Sequence, residues 1–184
     1  QGPAEAKWGY TNIGVGYAAR FWAGIEGKAS AAEWQFGDGA SVTDVAVPRH
    51  AWAAPGTYQV RLTAWNNDGV AAATTTVTVS GSITNYVALG GGHVAPFITW
   101  STAATTLHAA VTAALPGNHV LVAAGTYPLA TPVELTKPLT VRSVSGAAST
   151  VLRGTVNGRC VSLSCLETIV FDGFTITNGA TTGD

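Results

Sequence analysis

The sequence predicts a mainly β protein, an antiparallel sandwich followed by a solenoid of short strands. Three observations point there. Up to about residue 80, short runs alternate apolar and polar side chains, and each run breaks at a glycine, proline or asparagine turn. Beyond His119, apolar runs recur with no helical pattern between them. Those near Val120, Leu139 and Cys160 lie about 20 residues apart, close to one solenoid coil. Finally, 10% of the 184 residues are charged while 47% are hydrophobic, where an average soluble chain carries roughly 25% charge. Polarity therefore resides in hydroxyls and backbone, and little repulsion opposes packing between copies.

Residues 1–16 are rich in glycine, yet Trp8, Tyr10, Ile13 and Val15 include a period-two pattern. The segment reads either as a flexible leader or as a strand that needs a sheet to join. Residues 17–25, with Phe21 and Trp22, form the next strand. Trp34-Gln35-Phe36 then runs into Gly37-Asp38-Gly39, a half-buried strand ending in a tight turn that needs glycine's positive φ. A strand over 41–47 ends at Pro48, which cannot donate to a ladder. His50-Ala51-Trp52 leads to Pro55-Gly56, whose residue types suit a type II turn. Residues 57–65 alternate, Asn67-Asp68-Gly69 marks a hairpin, and 70–79 closes the sandwich.

A short linker over 81–85 follows, too short for free tumbling. After a brief strand at Tyr86-Val87-Ala88-Leu89 and three glycines, residues 105–115 place Leu107, Val111 and Leu115 on one helical face. Ser101 or Thr102 caps the start, and Pro116-Gly117 ends it. Short strands then recur to the end of the chain. In such a solenoid, residues 175–183 leave a strand edge without charge or proline to block it. The chain then continues into further coils, pairs with its own N-terminal region, or accepts a strand from another copy, for example residues 1–16. A repeated head-to-tail contact of that kind builds a filament.

Few residues are placed for chemistry. Asp38 in its turn reads as an acceptor of local backbone N–H groups rather than a catalytic acid, and His50 as a hydrogen-bonded turn residue. Trp34, Trp52 and Trp65 read as core. Asp38, Asn67 and Asp68 are the candidates for calcium. Cys160 and Cys165 are either a local disulfide or two buried thiols. His93, His108 and His119 lack metal-ligand spacing. Glu134, Arg142, Arg153, Arg159, Glu167 and Asp172 are scattered; they read as outward, solubilising side chains. Arg142 and Arg153 are the candidates for contact with the carboxylates of an acidic polysaccharide. No cofactor is expected. A net charge of −1 gives no case for nucleic acid or an anionic membrane, and no apolar run approaches a membrane-spanning length.

The run WQFGDG, then HAW, then PGTYQVRLTAWNNDG and a Thr/Val strand, resembles the PKD domain, with Gln35 where many members carry Asp. The resemblance covers about residues 14–80, and 17–80 is taken as the domain. It implies an immunoglobulin-like sandwich on a secreted or cell-surface protein, serving spacing, protein contact or polysaccharide contact rather than catalysis. The second half, 86–184, with YVALGGG, LTKPLTVRSVSG and FDGFTITNG, resembles the start of a right-handed parallel β-helix of the pectate-lyase-like superfamily. That resemblance makes the helix over 105–115 an N-terminal cap. The combined expectation is a secreted, non-enzymatic structural or adhesive module, with self-assembly into filaments as one outcome. The alternative is a polysaccharide-binding module or a fragment of a lyase-like protein.

Overall fold

A computed structural model describes residues 4–25, 28–67, 69–81, 83–155 and 158–179. The chain divides into two compact units, 1–82 and 83–184.

The first unit holds eight strands: β1 (Ala4–Trp8), β2 (Asn12–Gly14), β3 (Ala19–Ile25), β4 (Ala31–Gln35), β5 (Ser41–Thr43), β6 (Arg49–His50), β7 (Gly56–Asn66) and β8 (Gly69–Ser80). One sheet runs β1-β3-β6 and the other β2-β8-β7-β4-β5. Alternation places Phe21, Trp34, Phe36, Val60, Leu62 and Val77 in the shared core, each almost fully buried. Trp52 joins them, but Trp65 is only half-buried. The β7–β8 hairpin closes on the pair Asn66–Gly69, where Asn66 Oδ1 accepts from the Gly69 N–H.

One open alternative closes and two local expectations change in this unit. Residues 1–16 are not a free leader where described: β1 pairs antiparallel with β3, and β2 pairs parallel with β8. Both ladders occupy edges that would otherwise stay unpaired. The strand expected over 41–47 stops at Thr43, because Asp44 turns to a φ of 56°. There its carboxylate accepts from Ala32 N–H while its own N–H donates to Ala32 O. Pro55-Gly56 is not a type II turn either: Gly56 already pairs with Val79 at the start of β7. Its lack of a side chain makes room for the Tyr58 ring, which folds back so that its hydroxyl donates to Ala54 O.

The second unit contains β9 (Thr84–Val87), α1 (Leu107–Ala113), β10 (His119–Val122), β11 (Gly125–Pro128), β12 (Val133–Leu135), β13 (Thr140–Ser143), β14 (Thr150–Arg153), β15 (Val161–Leu163), β16 (Val170–Asp172) and β17 (Thr175–Thr177). They form three sheets, β9-β10-β13-β16, β11-β14-β17 and β12-β15, in which every pairing is parallel. Inward ladders such as Val120–Val141–Phe171 and Tyr127–Leu152–Ile176 run across the sheets. Their first two members are buried in each case.

The coil spacing differs from the sequence-based one. His119 pairs with Thr140, about one 20-residue step on, but Thr140 pairs with Val170, nearly half as far again. The run after Cys160 belongs to another sheet, where β15 pairs with β12. Turns of unequal length separate the strands, so constant spacing cannot align all three. β9 begins at Thr84, inside the stretch read as linker. The helix is shorter than expected, and Thr106 rather than Ser101 or Thr102 caps it, accepting from Ala109 N–H. Thr102 instead bonds the Thr99 hydroxyl at 2.7 Å. Leu107, Ala110 and Val111 bury the inner face of α1 against β9, β10 and β12.

Candidate functional site

The densest set of polar and aromatic groups gathers at the Gly37-Asp38-Gly39 turn. β4 delivers Phe36 to the core, and the chain then reverses through Gly37 and Gly39, with φ of 80° and 94°. Gly37 also sits against β7: a Cβ there would lie 2.7 Å from Gln59 O. The turn aims Asp38 back at β6. His50 Nε2 donates to Asp38 Oδ2 at 2.7 Å, and Ala40 N–H donates to Asp38 Oδ1 at 3.1 Å.

The His50 ring lies flat on Phe36, with centroids 4.1 Å apart and planes 6° apart. Trp52 meets the His50 ring edge-on and donates its indole N–H to Phe36 O. Burial alone would raise the Asp38 pKa, but the His50 hydrogen bond, the Ala40 N–H and the His50 charge outweigh it, leaving the carboxyl below its ordinary value. Both oxygens of the Asp38 carboxylate have structural partners. The geometry is that of a locked corner.

The calcium candidates do not converge. Asp38 lies beside Gln59, whereas Asn67 follows the other end of β7, roughly 25 Å away at about 3.3 Å per residue. Asp68 lies outside the described residues. Among the described residues, no group of three His, Cys, Asp or Glu side chains is placed to hold a metal.

Arg142 and Arg153 separate as well, on β13 and β14 of different sheets. Arg142 is engaged by Asp172 on the next strand, at 3.1 Å between Nε and Oδ2. Both partners are more than half exposed, so the pair is worth at most about 1 kcal/mol. Arg153 is exposed and shares its register with Pro128 and Thr177.

Cys160 and Cys165 are not bonded to each other in the structure. Strand β15 runs between them. Cys160 points inward, its Sγ near Thr177 O and against Gly154. Two histidines have structural partners: His93 Nδ1 accepts from Thr105 N–H, and His108 Nε2 reaches the carbonyls of Thr131 and Pro132, while His119 is exposed.

Two features escaped the sequence reading. Lys137 is half-buried beneath α1, where its ammonium donates to Thr112 O and Ala114 O and closes the helix's C-terminal carbonyls. Burial draws its pKa down. In sequence it was only a lysine before Pro138. The second feature is the outer face of the β1-β3-β6 sheet. Trp22 stands opposite Lys7, and Arg20 opposite Arg49. The signal was present in Arg20-Phe21-Trp22, since a buried Phe21 sends both neighbours outward.

Two cavities accompany these sites. One of about 390 Å³ opens at the sandwich edge between Ile25, Ala32, Trp34 and Val45. Another of about 350 Å³ lies between α1 and β12, beside His108, Thr131 and Glu134.

Comparison with known proteins places the first unit. Residues 6–81 match the family model described as PKD domain. No curated protein matches the chain. Among solved structures, the PKD1 domain of the Vibrio cholerae metalloprotease PrtV is 21% identical, with a TM-score of 0.35, over 42% of this chain and 94% of that one. The PKD domain of the human VPS10 domain-containing receptor SorCS2 is 23% identical, with a TM-score of 0.38, over 43% of this chain and 73% of that one. A structure described for carbohydrate-binding modules of the β-sandwich superfamily is 24% identical, with a TM-score of 0.41. That match spans 45% of this chain and only 36% of the other. The family assignment rests on the matched residues and not on these likenesses: the chain carries a PKD domain over residues 6–81.

Proposed function

We propose that this chain is a non-enzymatic module of a secreted or cell-surface protein, with an adhesive or structural role. The PKD sandwich would serve as spacer and contact surface, and residues 84–177 would be the opening coils of a right-handed parallel β-helix with α1 as its cap. PKD domains occur in extracellular proteins, and among the described residues no helix is long and apolar enough to cross a membrane. The carrying observation is the locked corner: Asp38 and His50 satisfy each other and the backbone, so the most concentrated polar groups stabilise a fold. For the second unit, the support is three sheets of parallel strands in register.

The test combines binding and turnover on the full chain. A glycan array and an extracellular-matrix panel should return retained ligands. Incubation with pectate or alginate should release no unsaturated products. Unsaturated products would overturn the non-enzymatic reading and favour the lyase-like one. Binding to glycans alone would favour the polysaccharide-binding alternative.

Self-association is a further reading, favoured by the outermost rung. β15, β16 and β17 each pair on one side only among the described residues, and Leu163, Val170 and Ile176 are exposed there. Residues 180–184, part of the edge read from sequence, lie outside the described residues. Negative-stain microscopy should then show filaments of regular repeat. Isolated particles at all concentrations would exclude assembly by this chain.

A further inference from the structure

The outer face of the β1-β3-β6 sheet presents an unusual register. Arg20 on β3 lies directly opposite Arg49 on β6. Directly opposed side chains in an antiparallel pair have Cβ atoms about 4.5–5.5 Å apart, and like charges there repel. Neither guanidinium has an ion-pair partner among the described residues. Three of the chain's nine cations, Lys7, Arg20 and Arg49, share this small sheet. Folding has thus set two arginines against each other with no acidic partner among the described residues, in a protein with few charges overall.

Trp22 completes the face. It follows Arg20 by two residues on the same side of β3, about 7 Å along the strand. Trp22 is 39% exposed, whereas Trp34 and Trp52 are buried. Lys7 faces it across β1, leaning toward Glu5 at 3.8 Å. The result is a strip with the half-buried Arg20 and the exposed Arg49 at one end and a part-exposed indole beside them.

We propose that this strip binds an acidic polysaccharide, with Arg20 and Arg49 holding a carboxylate or sulfate and Trp22 stacking on a neighbouring sugar ring. The proposal rests on reading the chain as an extracellular binding module, and it names the ligand class. An oxyanion between the two arginines turns their repulsion into two charge-assisted forks. The indole offers a flat, electron-rich face that matches the C–H face of a pyranose. The strip is short for a nucleic acid, whose binding gains from each phosphate neutralised, since three cations reach few phosphates.

Affinity electrophoresis of the full chain tests this. The gels contain polygalacturonate, heparin or a neutral glucan, at low salt and at about 0.15 M. The variants are Arg20→Gln with Arg49→Gln, Arg20→Lys with Arg49→Lys, and Trp22→Ala. An acidic polymer should retard the wild type and the glucan should not. The double glutamine variant should lose at least about tenfold in affinity, and the double lysine variant less, because lysine keeps charge but not the fork. Trp22→Ala should also lose about tenfold.

The double glutamine variant should melt at or above the wild-type temperature, since it removes a like-charge pair. A lower melt would contradict the unneutralised register and sink the proposal. So would unchanged retardation of that variant, or equal binding of duplex DNA or phosphatidylserine vesicles. Free sulfate that competes as well as the polymer would reduce the site to a simple anion site and also overturn it. If the wild type ignores every acidic polymer yet still binds a neutral glycan or a protein surface, this inference falls alone. The binding-module reading then survives.

Discussion

At the scale of single residues, Gly37 is constrained twice over, by its backbone angle and by its neighbour. Its φ of 80° disfavours any side chain by about 1–2 kcal/mol, and a Cβ would also collide with the backbone of Gln59. Gly37→Ala should therefore cost the sandwich more than about 2 kcal/mol, read from denaturant unfolding. Asp38 gives a pH signature. Its folded pKa is lowered, so its contribution is present above the ordinary carboxylate value and is lost as the pH falls through the folded one. Asp38→Asn should flatten the acid limb of the sandwich's stability curve below the ordinary carboxylate value of 3.8; an unaltered acid limb would refute the pairing. The motif itself was legible because glycine and aspartate have few roles between a strand and a turn. The partner of Asp38 was not: His50 lies twelve residues on, and only pairing across two sheets brings it near.

At the scale of elements, helix α1 is short and has no acidic residue in its first turn and no basic one in its last. Its ends are held instead by Thr106 and by Lys137 from outside the helix. Thr106→Ala should destabilise the second unit by about 1 kcal/mol. Lys137→Met, which keeps the stem and removes the donors, should cost about 1–2 kcal/mol by leaving two carbonyls unpaired. Chemical denaturation of the single variants checks both, and a neutral Lys137→Met would mean that water replaces the ammonium. The apolar spacing of Leu107 and Val111 made the helix legible, but not its ends, since four hydroxyl residues precede it and any could have capped it. Strand existence was legible in both units. Sheet membership in the second unit was not, because parallel partners are set by the lengths of intervening turns, which carry no pattern of their own.

At the scale of the whole molecule, the two units have separate cores and different sensitive groups. Tyr127 is buried in the second unit, its hydroxyl donating to Ala123 O, and burial raises its pKa. A raised folded pKa gives stability that is complete below the ordinary value of 10.0 and is lost as pH climbs through the folded one. Acid should therefore loosen the sandwich first and alkali the parallel unit first. Intrinsic fluorescence reports the former, since Trp34 and Trp52 lie in its core. Thiol labelling reports the latter: Cys160 is buried and should react only as that unit opens, while the half-buried Cys165 reacts sooner. Coincident exposure of both reporters at both extremes would contradict independent cores.

The parallel pairing of β2 with β8 has a mechanical consequence. Asn12, Ile13 and Gly14 lie alongside Thr78, Val79 and Ser80, with flanking bonds from Thr78 N–H to Thr11 O and from Val15 N–H to Ser80 O. Tension that enters before β2 and leaves after β8 draws these strands past each other along their length. The ladder is then loaded in shear, all its bonds sharing the force at once, whereas an antiparallel hairpin pulled from its open end unzips one bond at a time. A sandwich threaded in this way should yield late under traction applied between its two ends.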